Sequence, residues 1–447
     1  MDFIKYINDN KEQFLEDLKE LLKIDTVLIE QPHVKEAPFG ENLVKALEYM
    51  LSLGERDGFI TKNIENVAGH IEYGEGDEVI GVLCHLDVVP TGDGWTYPPF
   101  EPTIIEGKIY ARGSMDDKGA CISSLYALKA LKESGVKLNK KIRLIFGTDE
   151  ETGSRGIKRY LEVEKMPDLG FSPDADYPII YGEKGIISFD LVSEKINQEI
   201  VEFISGDRYN VVPEIATVVL KNNYKQQYEQ FLKDNNYSGE VKDNKYIMFG
   251  KRAHAMEPRN GVNAILQLLE FLNNIIEDSY ISFIYDNFKC SRLSNVNQNF
   301  TDPEMGDLTS NVALLNIKDN KGACGINFRY PINWDKELYF NTLKNNAKSC
   351  GVNVKELNDS KPHYIPKDHE LVKTLHKSYI KYTGDDKTPL MTIGGGTYAR
   401  SLKCAVAFGP MMPGREDVVH QVDEYAYIDD LLISVAIFSD ALKELGK

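Results

Sequence analysis

The sequence predicts a two-domain α/β protein in which a domain with a central, mostly parallel sheet flanked by helices is interrupted by an inserted α+β domain. Three observations predict this fold class. Strand-like and helix-like runs alternate up to about residue 184, strand-rich segments follow, and the first pattern returns near residue 362. Alternating strands and helices are typical of a parallel sheet with crossover helices. The expected domains are therefore 1–184 with 362–447, and the insertion 185–361.

The first domain contains two short apolar runs that are typical of buried strands. They are EVIGVLCH (78–85) and KIRLIFGTDE (141–150), and the run ACISSLYALKALKES (120–134) between them has helical periodicity. Ligands bind at the carboxyl ends of the strands in such sheets. The polar residues that follow each strand are therefore candidates for a site.

The insertion has a different order of predicted secondary structure, with four strand-like segments and two helical ones. The strand-like segments are ISFDLVS, EIATVVL, YIMFGKR and GACGINFRY, and the helical segments are GVNAILQLLEFLNNII and DKELYFNTLKNNAKSC. After residue 362 the chain offers a helix (368–384), a glycine-rich turn (393–400), a strand (404–410) and a final helix. This order predicts an α+β domain inserted into the first domain.

Charge and composition exclude several functional classes. Acidic residues outnumber basic ones by 69 to 52, for a net charge of −17. Nucleic acids and anionic membranes require basic surfaces, so neither is an expected partner. The charged N-terminus, with apolar residues from Phe14 to Leu22 at helical spacing, predicts an amphipathic helix and no signal peptide. Six scattered cysteines without a CxxC motif indicate reduced thiols and a cytoplasmic location.

Three clusters of potential metal ligands accompany the predicted core elements. His85 and Asp87 follow one strand, Glu150 and Glu151 follow the next, and Asp116 precedes the intervening helix. Each cluster alone has an ordinary explanation as a turn, a helix cap or a solvated acidic patch. Together they supply the imidazole and carboxylate ligands that a pair of divalent metals requires, with one carboxylate left for proton transfer. The sequence therefore predicts a metal-dependent hydrolase.

Two further segments extend the candidate ligand set. EDVVHQVDE near the C-terminus contributes His420, and SPDADYP contributes Asp174 or Asp176. Composition alone does not choose between these two aspartates.

The ordered motifs resemble a known family. The chain is similar to the co-catalytic dimetal peptidases that include aminoacylase, carboxypeptidase G and peptidase T, and most closely to the PepV-like dipeptidases of bacteria. The motifs that carry the resemblance are HLDVVP, GWTYPPFEP, IYARGSMDDKG, GTDEETGSRG, SPDADYP, GKRAHAMEPRNGVNA and GGGTYAR. They span nearly the whole chain.

The resemblance implies a role for each residue of the first domain. The implied metal ligands are His85, Asp116, Glu151, Asp174 and His420. Asp116 would bridge two ions and precede a cis peptide bond. Glu150 would be the general base, and Asp87 would orient a ligand imidazole.

The resemblance also assigns the insertion a catalytic role as a lid. Asn210 and His254 would stabilise the oxyanion, and Arg329 would bind a substrate carboxylate. The implied substrate is a small, unblocked dipeptide, and the implied cofactors are two divalent ions, with zinc first and manganese or cobalt as alternatives. The enlarged lid of the dipeptidase branch implies a monomer.

Two other functions compete with the dipeptidase hypothesis. An N-acyl amino acid deacylase of the same family would use the same metal centre. A catalytically silent metal-binding protein would be expected to lack Glu150 or several ligands, and all are present. A serine or cysteine hydrolase is disfavoured because no GxSxG motif occurs.

Overall fold

The computed structural model describes all 447 residues. The eleven α-helices are α1 (Phe3–Asp9), α2 (Lys11–Leu22), α3 (Glu41–Arg56), α4 (Lys118–Glu133), α5 (Arg155–Val163), α6 (Lys225–Asn235), α7 (Ala264–Ile275), α8 (Ser279–Phe288), α9 (Lys336–Ser349), α10 (Glu370–Thr383) and α11 (Ile428–Leu445). Short 3₁₀ turns lie at Pro258–Asn260, Ser294–Val296 and Tyr398–Ser401.

The strands are numbered in chain order. They are β1 (Ile60–Ile64), β2 (Ala68–Tyr73), β3 (Val79–His85), β4 (Thr103–Ile105), β5 (Lys108–Tyr110), β6 (Lys141–Gly147), β7 (Leu169–Ser172), β8 (Ala175–Asp176), β9 (Ile180–Glu183), β10 (Gly185–Ser193), β11 (Ile200–Ser205), β12 (Val211–Val212), β13 (Ile215–Leu220), β14 (Ser238–Lys242), β15 (Lys245–Phe249), β16 (Ala253–His254), β17 (Thr301–Asp302), β18 (Gly306–Asp307), β19 (Thr309–Lys318), β20 (Lys321–Tyr330), β21 (Asn353–Ser360), β22 (His363–Tyr364), β23 (Met391–Ile393), β24 (Ala405–Ala407), β25 (Pro410–Met411) and β26 (Tyr425–Tyr427).

The chain divides into two compact units. The first comprises Met1–Tyr181, Tyr364–Met391 and Thr397–Lys447, and the second comprises Gly182–His363 and Thr392–Gly396. The short segment Thr392–Gly396 lies within the range 362–447 that the sequence analysis assigns to the discontinuous domain, but its contacts place it in the second unit.

The first unit is built on a nine-stranded sheet with a parallel centre. The main strand order is β1-β2-β6-β3-β7-β24-β9-β22, and β23 pairs with β9. Strands β6, β3, β7 and β24 are parallel to their neighbours in this series, whereas β1, β2 and β9 pair antiparallel. All residues of β3 are buried, as expected for a strand covered on both faces. The predicted mostly parallel sheet flanked by helices is confirmed.

Helices α4 and α11 pack against each other in the first unit, and α4 also packs against β3. They share one hydrophobic core with residues such as Val82, Leu125 and Phe438. Because α4 begins one residue after Asp117, this core fixes the start of the helix next to the ends of the central strands.

The second unit is built on an eight-stranded, entirely antiparallel sheet. The strand order is β14-β15-β13-β11-β19-β20-β10-β21. It has its own hydrophobic core, to which α7, α8 and α9 contribute. The predicted α+β architecture is confirmed, and α6 and α8 are helices that periodicity alone did not reveal.

The N-terminal segment differs from the single amphipathic helix that its periodicity predicts. It forms α1 and α2, separated at Asn10. The Asn10 side chain donates to the Tyr6 carbonyl at 2.9 Å and thereby caps the end of α1. Local side-chain bonding of this kind competes with helix continuation. None of the helices combines the length and apolar character that a membrane span requires.

Candidate metal centre

The parallel strands of the first unit bring the predicted ligands to one edge of the sheet. His85 ends β3 and is paired with Gly147, which ends β6, so the segments that follow both strands leave the sheet side by side. Strand β7, the other neighbour of β3, ends at Ser172. Asp174 therefore emerges at the same edge, because parallel strands align their carboxyl ends.

Asp116 lies between two imidazoles. Its Oδ1 is 2.8 Å from Nε2 of His85, and its Oδ2 is 3.0 Å from Nε2 of His420. The His420 nitrogen is also 2.8 Å from Oε1 of Glu151. The Asp116 carboxylate thus offers one oxygen to each half of the site, as a ligand shared by two ions does. The Asp116–Asp117 peptide bond is cis, as the family resemblance implies.

The structure distinguishes between the two aspartates that composition left open. Oδ2 of Asp174 lies 3.6 Å from Nε2 of His85. Asp176, on the short strand β8, belongs to neither group of converging ligand atoms. Asp174 is therefore the residue that the fold presents to the site.

The converging residues form two groups that share Asp116. His85, Asp116 and Asp174 make the first group, and Asp116, Glu151 and His420 make the second; in each, the potential ligand atoms lie within 4.8 Å of one another. Nε2 of His85 and Oδ1 of Asp116 are both buried and, despite their proximity, neither takes part in a hydrogen bond. Two buried ligand atoms that lie close together without a hydrogen bond are suited to binding the same cation. Imidazole and carboxylate groups together are ligands that zinc, manganese and cobalt accept.

Asp87 holds the edge of the site together through its backbone and its side chain. Its carbonyl oxygen is 2.9 Å from Nδ1 of His85, whereas its carboxylate is 3.5 Å from that nitrogen. The same carboxylate accepts the backbone N–H of Glu150 at 2.9 Å and that of Glu151 at 3.0 Å. Asp87 therefore fixes the imidazole mainly through its carbonyl group and positions both glutamates through its side chain.

Glu150 is half-buried beside the ligand groups without belonging to them. Burial, followed by repulsion from Asp174 and Glu151, raises the pKa of its carboxyl group well above the usual value. A carboxyl group with a raised pKa accepts a proton more readily near neutral pH.

The carboxylates around the two imidazoles raise the pKa of both. Hydrogen bonds with Asp116 and Glu151 raise the pKa of His420 to about 10. Burial would lower the pKa of His85, but the adjacent carboxylates of Asp116 and Asp174 raise it well above its usual value.

Glu424 is a residue of this site that the sequence analysis missed. It is buried, and its Oε1 accepts the backbone N–H groups of Met115 at 2.9 Å and Asp116 at 3.2 Å. Its Oε2 accepts from Gly113 and from the guanidinium of Arg112, which is also buried. Glu424 thereby holds the loop that carries Asp116. It closes the EDVVHQVDE motif, but only the fold shows that this motif reaches the loop.

In the second unit, a short two-stranded ladder places Asn210 beside His254. Val211 pairs with His254 across β12 and β16, and the Ala255 N–H donates to the carbonyl oxygen of Asn210. The Met256 N–H donates to Nδ1 of His254 at 3.0 Å, so the neutral imidazole carries its proton on Nε2. Burial and the nearby Arg329 lower the pKa of His254, which favours this neutral form.

Arg329 lies buried on β20 of the second unit. Its Nε donates to Asn327 and its Nη1 donates to the carbonyl oxygen of Gly394, both at 2.8 Å. A guanidinium held at two points has a defined direction, which suits the geometrically strict pairing with a carboxylate. Gly394 leaves room for this arrangement, because a Cβ there would lie 2.9 Å from that of Met256.

Comparison with solved structures supports the fold. Human carnosine dipeptidase 1 is similar over 99% of this chain and 98% of its own, with a TM-score of 0.58 and 14% identity. The M20 family metallo-carboxypeptidase Sso-CP2 from Sulfolobus solfataricus is similar over 96% and 98%, with a TM-score of 0.57 and 18% identity.

Sequence comparison identifies the family. "Putative dipeptidase YtjP" of Bacillus subtilis (strain 168) is 43% identical over 457 residues, which cover 98% of both chains. The sequence profile of Peptidase family M20/M25/M40 matches residues 81–444, a range that contains every candidate metal ligand described above. The chain is therefore a peptidase and belongs to the peptidase family M20/M25/M40.

Proposed function

We propose that this peptidase is a dimetal dipeptidase that hydrolyses unblocked dipeptides. The observation that carries the proposal is the position of Asp116, which directs one carboxylate oxygen to the His85 side of the site and the other to the His420 side. His85 and Asp174 would complete one ion site, and Glu151 and His420 the other.

The chemistry divides between the bound ions and Glu150. Two divalent ions would lower the pKa of a shared water and polarise the scissile carbonyl. Glu150, half-buried next to the ligands but outside both groups, takes the proton of the attacking water and passes it to the leaving amine. Asp87 keeps Glu150 and Glu151 in place through their backbone N–H groups.

The second unit supplies the donors that stabilise developing charge. His254, neutral with its proton on Nε2, and Asn210 beside it would donate to the oxyanion of the tetrahedral intermediate. Such donors accelerate the reaction because the charge appears only in the transition state. In the active arrangement these donors would close over the substrate as a lid.

Arg329 sets the length of the substrate in this proposal. Its guanidinium would pair with the C-terminal carboxylate, and the metal centre would fix the scissile carbonyl. In the proposed complex a single residue would lie between these two groups, so the leaving group would be one amino acid. A close relative named as a dipeptidase supports the same substrate class.

A substrate panel tests the proposal. The metal-reconstituted protein is assayed on free dipeptides, tripeptides and N-acetyl amino acids, and dipeptides should be hydrolysed fastest. Comparable rates on N-acetyl amino acids would favour the deacylase alternative and contradict the dipeptidase assignment. Arg329→Lys should raise KM for free dipeptides, because lysine cannot form a bidentate pair. It should leave KM unchanged for dipeptide amides, which have no carboxylate.

Zinc is the proposed physiological metal, with manganese and cobalt as the other candidates for this donor set. We further propose a monomer in the cytoplasm. All six cysteines are free, which suits a reducing compartment.

A further inference from the structure

Tyr398 carries a buried hydroxyl without a partner. The residue lies within the glycine-rich segment 393–400, begins a 3₁₀ turn and is 1% exposed. Its hydroxyl oxygen makes no hydrogen bond. An unsatisfied buried hydroxyl costs about 1–3 kcal/mol, and native structures contain few such groups. Phenylalanine would fill the same space without this cost, so the hydroxyl requires an explanation.

The hydroxyl lies at the edge of the sheet where the candidate metal centre is built. A Cβ added to Gly147 would lie 1.8 Å from the Tyr398 hydroxyl oxygen, so the hydroxyl sits directly over the last residue of β6. Any side chain at position 147 would collide with the Tyr398 hydroxyl, so this arrangement requires glycine there. The tyrosine ring also meets His85 edge-on, with ring centroids 6.3 Å apart.

Three carboxylates lie near the Tyr398 hydroxyl. Burial raises the pKa of this hydroxyl, and the charges of Asp87, Glu150 and Asp149 raise it further. Both oxygens of Asp87 accept backbone N–H groups, and those of Asp149 accept from Arg155 and Gly156. The Glu150 side chain has no hydrogen-bond or ion-pair partner in the chain. The buried Tyr398 hydroxyl and the half-buried Glu150 carboxylate, neither with a partner in the chain, therefore both lie where β6 ends.

We propose that Tyr398 is a positioning residue for Glu150: its hydroxyl donates a hydrogen bond to the Glu150 carboxylate, directly or through one water. The inference rests on the role of Glu150 in the proposed function. A phenol, with an ordinary pKa of about 10, keeps its proton at neutral pH and is a donor to a carboxylate. The bond occupies one oxygen of Glu150 and directs the other towards the water that it deprotonates.

Tyr398→Phe tests this role because it removes only the hydroxyl. We expect kcat on a free dipeptide to fall by at least about tenfold, since a misplacement of about 1 Å in a catalytic group can cost about 10²-fold. KM and metal content should stay at the wild-type values. The melting temperature of the metal-free protein should stay close to the wild-type value, because phenylalanine keeps the buried ring and its packing.

Tyr177→Phe is the matched control. Tyr177 is equally buried in the first unit, and its hydroxyl bonds with Ser434 at 3.1 Å. Its loss should lower the melting temperature and leave kcat unchanged.

The outcomes separate this inference from the proposed function. Wild-type kcat in Tyr398→Phe would show that the residue only packs, and would overturn the inference while the dipeptidase assignment stands. A joint loss of kcat, metal and thermal stability would assign Tyr398 a structural role and overturn it as well. If the wild-type protein hydrolyses no dipeptide, the proposed function fails and the inference falls with it.

Discussion

Asp116 illustrates how a single residue couples the two halves of the centre. Its carboxylate is buried, with one oxygen towards His85 and the other towards His420. Each remaining ligand belongs to only one group. Substitution of Asp116 should therefore affect the binding of both ions, whereas substitution of any other ligand should affect one ion directly.

Asp116→Ala should lose both ions together, because the substitution removes a ligand from each group. Metal content per chain, measured by elemental analysis after dialysis, should fall from about two to near zero. Asp176→Asn is the control. Asp176 lies two residues after the ligand Asp174 but belongs to neither ligand group, so this variant should keep two ions. Retention of two ions by Asp116→Ala would refute the bridge.

Glu150 and Glu151 are adjacent in sequence but have different surroundings. Glu151 contacts His420 within a ligand group, whereas Glu150 lies half-buried beside the groups without joining them. Glu150→Gln should lower kcat by at least about 10²-fold with both ions retained. Glu151→Gln should lower metal content as well as turnover. If Glu150→Gln lost metal and Glu151→Gln kept it, Glu150 would be the ligand and Glu151 the general base.

At the scale of elements, the loop before α4 depends on a side chain from the far end of the sequence. Glu424 accepts the backbone N–H groups of Met115 and Asp116 and forms a buried ion pair with Arg112. A buried ion pair is weak evidence for stability in itself, but the removal of one partner leaves a buried charge uncompensated.

Glu424→Gln should therefore reduce the free energy of unfolding by about 3–5 kcal/mol. It should also weaken the binding of both ions, because the loop that it loosens carries the bridging Asp116. Chemical denaturation and metal titration measure the two effects. Glu65→Gln, which breaks the exposed ion pair with Arg159, is the control and should leave both close to wild type. Unchanged metal affinity in Glu424→Gln would show that the loop holds Asp116 without this residue.

The β12–β16 ladder is the corresponding element of the second unit, because it sets Asn210 beside His254 and fixes the imidazole tautomer. His254→Ala should lower kcat by roughly 10²-fold, the range expected for a lost oxyanion donor, with metal content unchanged. Met256→Ala preserves the backbone N–H that holds His254 and should keep most of the activity. If His254→Ala changed only KM, His254 would contribute to substrate binding and not to oxyanion stabilisation.

At the scale of the whole molecule, the two units have separate hydrophobic cores, and every candidate metal ligand belongs to the first. A ligand that binds only the folded state stabilises it by about 2.7 kcal/mol at a concentration of 100 Kd. Metal binding should therefore stabilise the first unit selectively.

Chelation should abolish peptidase activity and lower the unfolding transition of the first unit in a calorimetric scan, while the transition of the second unit stays in place. Divalent metal should restore both properties. The Asp116→Ala variant is the control, since a chain without bound ions should not respond to the chelator. An equal shift of both transitions would contradict selective stabilisation.

The fold class and most of the candidate site can be predicted from local features of the amino-acid sequence. Fully apolar runs such as residues 79–84 specify buried parallel strands, and parallel strands must place the residues that follow them at one edge. Motif order then supplied the family. His85, Glu150 and Glu151 could be predicted because their positions follow from strand ends, which are local features of the sequence.

The contacts between distant segments could be read only from the folded chain. Periodicity cannot show that Glu424 reaches the loop of Asp116, that Asp174 and not Asp176 approaches His85, or that residues 392–396 join the second unit. It also cannot show that the Tyr398 hydroxyl lies over Gly147. These pairings join segments that are far apart in the chain, and they depend on the close packing of side chains in each core. A local sequence pattern specifies which face of a helix or strand is buried. The packing of the whole chain specifies which residues contact that face.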